Sequence, residues 1–136
     1  MRYLKLYEDH NNYYYQIEAD EFDEATGYDA YHGDGDGWIT TNWVDFNQSE
    51  IDTIRRMFTD YFVFVGYSDF NQNSNGMIIV NNRSQFDIRK DWSGTLFYVI
   101  KLPDEWYYTV DFKTQIFYKC DQFGGLLKFI EDKFLS

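Results

Sequence analysis

The strongest constraint on the fold is a pair of alternating segments on either side of the only proline. Before Pro103, apolar side chains occupy every second position from Leu96 to Leu102, and after it the same period runs from Trp106 to Phe112. A two-residue period places alternate side chains on opposite faces of a strand. Proline suits the second position of a tight turn. The sequence therefore predicts a β-hairpin over about 96–112 that turns at Pro103-Asp104.

Shorter β-prone runs predict the rest of a sheet. Two aromatic runs flank an Asn-rich break and predict a second hairpin. A polar loop containing Asn75-Gly76 separates two apolar runs that predict another antiparallel pair. The predicted additional strands are 3–7, 13–17, 61–65, 77–80 and 116–119.

Helical signals occur in three places. Residues 19–26 predict a short acidic helix that ends at Gly27. Ser49 as N-cap, with Asp52 three residues later, predicts a helix from Glu50 to about Thr59. A third helix, capped by Asp121, carries one apolar stripe. That stripe comprises Phe123, Leu126, Leu127, Ile130 and Phe134.

Together these patterns predict a single α+β domain over residues 1–136. We expect a twisted, mainly antiparallel sheet with about two helices packed on one face. The 136 residues fit one domain, and the 44% apolar and 22% aromatic content is not that of a disordered chain. Gly124 and Gly125 lower helix propensity in the first turn of the last helix. They are expected to let that turn lie close to the sheet.

The single cysteine and the absence of long apolar runs bear on the compartment. Cys120 alone cannot form an internal disulfide, which favours a reducing environment. Residues 1–7 lack the apolar region of a signal peptide, and no run approaches the roughly 20 residues that span a bilayer. We therefore expect a cytoplasmic protein that does not act at a membrane.

The charge of −11 is strongly polarised along the chain. Between Lys5 and Arg55 there are 13 carboxylates and no Lys or Arg, whereas residues 61–136 hold nine acidic and eight basic side chains. Affinity for phosphates requires Lys and Arg, so direct binding of nucleic acid or of anionic membranes is not expected. The distribution favours a basic protein partner or a cation. The alternative is that the charge only keeps an aromatic-rich domain soluble.

No motif in the chain indicates catalysis or a metal site. Asp34 and Asp36 lie in a Gly-rich segment that resembles a calcium loop, but His32 and Trp43 occupy its first and last ligand positions, so no calcium site is expected. Two histidines and one cysteine cannot form a closed zinc site without carboxylates. Cys120 is expected to be a buried apolar residue and not a nucleophile. We expect no cofactor and no enzymatic activity.

The acidic window is interleaved with aromatic residues, and this combination suits recognition of Lys and Arg. A row of carboxylates on a strand can also imitate a row of phosphates, which is the basis of nucleic-acid mimicry. The alternative is that the aromatic residues face the core and the acids face water. The predicted partner-binding residues are Glu18, Asp20, Glu21, Asp23, Glu24, Asp29, Asp34, Asp36 and Trp38.

Two stretches near the termini resemble known proteins. Met-Arg-Tyr-Leu-Lys-Leu-Tyr-Glu-Asp at 1–9 and the segment 118–127 are similar to small, uncharacterised proteins encoded by tailed bacteriophages. Small acidic phage proteins of this kind include inhibitors of host defence, some of which resemble DNA in charge. The resemblance implies an inhibitor, and it includes no known catalytic motif.

The leading hypothesis is a non-catalytic protein that occupies a basic surface of another protein. That surface would be the nucleic-acid-binding groove of a defence or nucleic-acid-handling factor. One alternative is a protein that sequesters a small molecule in an aromatic pocket. Another is a small metal-dependent hydrolase that uses paired carboxylates such as Asp104 and Glu105. The sequence leaves the oligomeric state open.

Overall fold

The described part of the chain contains six strands and three helices. The computed structural model describes residues 13–27, 43–66, 76–85 and 91–135. The strands are β1 (Tyr14–Ile17), β2 (Phe62–Val65), β3 (Met77–Asn81), β4 (Thr95–Leu102), β5 (Trp106–Asp111) and β6 (Ile116–Asp121). The helices are α1 (Ala19–Thr26), α2 (Gln48–Met57) and α3 (Gln122–Ile130), and α3 continues into a π-helical turn over Glu131–Leu135. The predicted α+β class is confirmed.

The strands form one antiparallel sheet in the order β1-β6-β5-β4-β3-β2. The predicted central hairpin is confirmed, since β4 pairs with β5 up to Leu102 opposite Trp106. The pairing of β2 with β3 is also confirmed. In addition, β1 pairs with β6, which lies far from it in the sequence. The predicted strand at 3–7 and Asn75 lie outside the described residues.

The turn between β4 and β5 spans three residues, Pro103–Glu105. Asp104 and Glu105 both have positive φ, 64° and 59°. Residues with a Cβ adopt this region at some cost in energy. Both side chains are exposed, so this carboxylate pair lies at the solvent-facing tip of the hairpin.

Helices cover both faces of the sheet. On one face, Phe97 and other alternate side chains of the central strands pack against α2 and α3. On the other face, Phe22 of α1 joins a second cluster with Tyr98 and Val110. The expectation of two helices on one face holds for α2 and α3, but α1 adds a helix on the opposite face. Helix α1 directly follows β1, and its Phe22 packs against the sheet side chains that point away from α3.

Helix α2 begins earlier than the sequence pattern indicated. Its N-cap is Asn47 and not Ser49, because the Asn47 side chain accepts a hydrogen bond from the Glu50 N–H. The Glu50 carboxylate in turn accepts from the Asn47 N–H, at 2.9 Å. This reciprocal pair is a capping box. These two bonds satisfy N–H groups at the start of α2. The sequence prediction had given this capping role to Ser49 and Asp52.

Helix α3 packs through a broader face than the predicted stripe. Leu126 and Ile130 are fully buried, but so is Phe129, which the prediction omitted. Phe123, Leu127 and Phe134 are half-buried and pack against the same core. The Phe134 ring stacks on Phe97 at 5.0 Å between centroids. Asp121 occupies the N-cap position as predicted, but its side chain makes no capping bond to α3.

Gly125 lets the first turn of α3 lie against the start of β1, as the sequence suggested. A Cβ at this position would lie 2.2 Å from the carbonyl oxygen of Tyr13. That oxygen also accepts a hydrogen bond from the N–H of Asp121. The backbone of Tyr13 is therefore held in place and has little freedom to move away.

We predict that Gly125→Ala lowers the free energy of unfolding by about 1–3 kcal/mol, because the added methyl group overpacks a tight backbone contact. Gly124→Ala is the matched control, since the same substitution raises helix propensity by up to about 1 kcal/mol. Urea denaturation of both variants measures the difference. Equal midpoints for the two variants would contradict the close approach of α3 to Tyr13.

Candidate protein-binding surface

Helix α1 is a short helix fixed to the sheet by one aromatic side chain. Phe22 is buried, and its ring centroid lies 4.7 Å from that of Phe117. At the end of the helix, the Thr26 hydroxyl donates to the Phe22 carbonyl, and the Thr26 carbonyl accepts from Trp43 Nε1. Gly27 ends the helix with φ of 80°, and its N–H donates to the main-chain carbonyl of Asp23. These contacts give the helix one buried face.

The other face of α1 carries the predicted carboxylates. Glu18, Asp20, Glu21 and Glu24 are exposed, and Asp23 is half-buried. The structure thus brings five of the predicted partner-binding residues together on one surface, which we call the α1 acidic surface. The other predicted residues lie outside the described residues; they are Asp29, Asp34, Asp36 and Trp38.

Only one basic side chain in the described ranges reaches this surface. Lys119 Nζ lies 3.2 Å from Glu21 Oε2 and 5.2 Å from the centroid of the Trp106 ring. Within those ranges, no Lys or Arg forms an ion pair with the other carboxylates of the α1 acidic surface. Most of its negative charge is therefore not neutralised locally.

The carboxylates repel one another along the helix. Asp20 and Asp23 are three residues apart, and Asp20 and Glu24 are four apart, so they share one side of α1. Partial burial, and then the charge of Asp20, hold the pKa of Asp23 above its usual range. Asp20 and Glu21 lie in the first turn, where negative side chains interact favourably with the helix dipole. Acids in the last turn oppose the dipole, and α1 has no basic residue there.

Most of the described aromatic residues of the acidic window face the core, and the half-buried Tyr15 belongs to neither core cluster. Phe22 and Phe46 are buried, as is most of Tyr13, and Trp43 is half-buried. The prediction that exposed aromatic rings accompany the acids is therefore wrong for these residues. The alternative interpretation, with rings inside and acids outside, describes them correctly. The physical reason is that an eight-residue helix needs a large buried ring to remain on the sheet.

One carboxylate of the acidic window has a structural role that the sequence reasoning missed. Glu50 is 6% exposed, and its Oε1 accepts from Lys101 Nζ at 2.9 Å. Its Oε2 accepts from the Tyr107 hydroxyl. Burial, and then the hydrogen bond to Glu50, raise the pKa of Tyr107 well above its usual value. Lys101 was the available signal, because it lies in phase with Phe97 and Val99 on a buried strand face.

The described residues offer little for the two alternative functions. Cys120 is fully buried, and burial raises the pKa of its thiol, which confirms the apolar interpretation over the nucleophilic one. Within the described ranges, no three His, Cys, Asp or Glu residues lie together as metal ligands would. A cleft between the end of α2 and the π-helical turn encloses about 170 Å³. Pockets for drug-sized ligands start at about 300 Å³.

Among the described helices, none has both the length and the apolar character needed to cross a bilayer. Comparison with family models, with characterised proteins and with solved structures gave no match.

We predict that Asp23→Asn stabilises the protein at pH 7 but not at pH 3. A carboxyl whose pKa is higher in the folded state favours folding when protonated, so its contribution to stability falls as pH rises through that pKa. Removing the charge therefore raises the stability only at pH values at which Asp23 is ionised. Thermal melts at both pH values measure this. The control is Asp52→Asn, which removes a charge that accepts a hydrogen bond from Gln48 and should not stabilise.

We also predict an alkaline loss of stability that depends on Tyr107. Because its pKa is higher in the folded state, the contribution of Tyr107 is present below about pH 10 and is lost as pH rises above that value. Tyr107→Phe should lower stability at pH 7 by about 1.5–3 kcal/mol through loss of the bond to Glu50. Between pH 9 and pH 11, the stability of the variant should fall by less than that of the parent protein. Parallel stability curves for the two proteins would contradict the prediction.

Proposed function

We propose that this protein is a non-catalytic binding protein that occupies a basic, nucleic-acid-binding surface of a partner protein through its α1 acidic surface. The observation that carries the proposal is a set of adjacent carboxylates on a helix fixed to the sheet, of which only Glu21 has an ion-pair partner within the described ranges. Like-charge pairs on one helix cost about 0.2–0.5 kcal/mol each. A surface that is retained at this cost can recover the energy when a cationic partner neutralises it.

The rigidity of α1 supports recognition over mere solubility. Charges that only maintain solubility can lie on any flexible segment, whereas Phe22 and Thr26 hold α1 in one orientation. Side chains one turn apart on a helix have Cβ atoms about 5–6 Å apart, so the acids of α1 form a compact group of negative charges on a helix and not a row along a strand. A groove that binds phosphates through Lys and Arg therefore suits this surface as a partner.

The proposed setting is the cytoplasm of a host cell. The resemblance of residues 1–9 and 118–127 to tailed-phage proteins supports a host defence or nucleic-acid-handling factor as the partner. A phage inhibitor that imitates DNA would compete with nucleic acid for one site. Competition is therefore the property that separates this proposal from binding at an unrelated surface.

The first experiment identifies the partner and tests this competition. The protein is immobilised, bound proteins are recovered from a bacterial lysate at low salt, and the purified partner is titrated with duplex DNA and RNA. Nucleic acid should displace the protein, and raising the salt concentration should weaken the complex. A complex that withstands saturating nucleic acid and high salt would overturn the proposal.

We predict that Asp20→Lys combined with Glu24→Lys slows association at low salt by about tenfold or more, because it removes electrostatic steering. Both side chains are exposed and make no ion pair within the described ranges, so the fold should be unaffected. The matched control is Asp60→Lys with Glu131→Lys, which changes the net charge equally at exposed positions away from α1. Association rates from stopped-flow measurements compare the two. Equal slowing would show that net charge acts, and not the α1 acidic surface.

A further inference from the structure

Strand β2 forms the edge of the described sheet farthest from β1. The N–H of Gly66 donates to the carbonyl of Met77, the residue directly opposite. Hydrogen-bonded pairs alternate in an antiparallel ladder, so Phe64 and Ile79 form the next such pair. The N–H and C=O groups of Val63 and Val65 then point away from β3. They have no main-chain partner within the described part of the chain.

Strand β2 is four residues long, which itself limits strand pairing, but its sequence carries none of the residue types that block it. The strand Phe-Val-Phe-Val contains no charge, no proline and no glycine. Phe62 is 45% exposed, and in the described ranges only Val44 and Leu135 are comparably exposed large apolar residues. Leu135 lines the 170 Å³ cleft together with Tyr61, the residue before Phe62. Phe62 is in phase with Phe64 and therefore lies on the α1 face of the sheet, whereas the cleft lies on the α2 and α3 face. The edge thus has apolar surface on both faces.

We propose that two copies of this chain form a symmetric dimer by antiparallel pairing of their β2 strands. A two-fold axis beside Phe64 places Val63 opposite Val65 of the second copy. This register joins both outward-pointing residues of each strand and gives four main-chain hydrogen bonds. It also places Phe62 opposite Gly66 of the second copy, where no side chain competes with the ring. Any register shifted by two residues leaves one of the valines unpaired.

The charge distribution favours a second copy as the occupant of this edge. The net charge of −11 would oppose self-association if it lay nearby. However, α1 packs on β6, and β6 is four strand spacings from β2. That separation is about 19 Å, more than twice the screening length of about 8 Å at physiological salt. In the ten residues before β2, Asp52 and Asp60 balance Arg55 and Arg56, and in the ten residues after it Asp69 is the one charged residue.

Sedimentation equilibrium from about 1 μM to about 1 mM, with Phe62→Lys and Val44→Lys as matched variants, tests the dimer. The parent protein should shift from 16.5 kDa towards twice that mass as concentration rises. Phe62→Lys should raise the dissociation constant at least tenfold, because it places two like charges at the paired edge. Val44→Lys makes the same change at an exposed position whose N–H bonds to Lys101 of β4 and not to β2, and should leave the constant unchanged.

Amide hydrogen exchange then locates the interface. In the dimer, the amides of Val63 and Val65 should exchange at least tenfold more slowly than in the monomeric Phe62→Lys variant. A parent protein that remains monomeric throughout the range would overturn the proposal and leave the edge to another partner. Larger polymers, or a dimer in which these two amides exchange freely, would also overturn it. Charge reversal at Asp20 and Glu24 should not affect the dimer, so this test is independent of the proposed function.

Discussion

A carboxylate buried between a helix and a sheet is stable only when donors and cations surround it, and Glu50 meets this condition on both oxygens. It caps α2 through Asn47, pairs with Lys101 of β4 and accepts from Tyr107 of β5. One side chain thus fixes the start of α2, the distance of the helix from the sheet and its position along the central hairpin. Removing one partner from such a pair typically costs about 3–5 kcal/mol. The packing of Ile51, Ile54 and Phe58 follows from this placement.

The two faces of the sheet use carboxylates in opposite ways. On the α2 side, Glu50 is enclosed and compensated, and the interior is dominated by stacked rings such as Phe97 and Phe134. On the α1 side, four of the five acids are exposed, and within the described ranges Lys119 is the one cation with which they pair. A sheet stabilised mainly from one side can tolerate a charged, slightly destabilising helix on the other. This division of roles allows a small domain to keep an uncompensated surface without losing its fold.

Local periodicity was enough to predict the central hairpin, α1, β2 and β3, because each depends on residues close in sequence. The burial of Cys120 also followed from residue type. Other features depend on distant contacts, so local patterns could not reveal them. The pairing of β1 with β6 and the face chosen by α1 are of this kind. The partner of Glu50 lies 51 residues away, although Lys101 on an apolar strand face indicated that an acid was needed. For the α1 acidic surface, composition identified the acids but left open whether the rings between them face the core or the solvent.

The pairing of β1 with β6 has a consequence for how the chain acquires its charged surface. About 100 residues separate the two strands, so this contact is far less local than the hairpins of the sheet. On the ribosome, β1 and α1 emerge before β6, which carries Phe117 and Lys119 beneath α1. A nascent chain that has not reached β6 therefore carries the charges of α1 without the strand against which this helix packs.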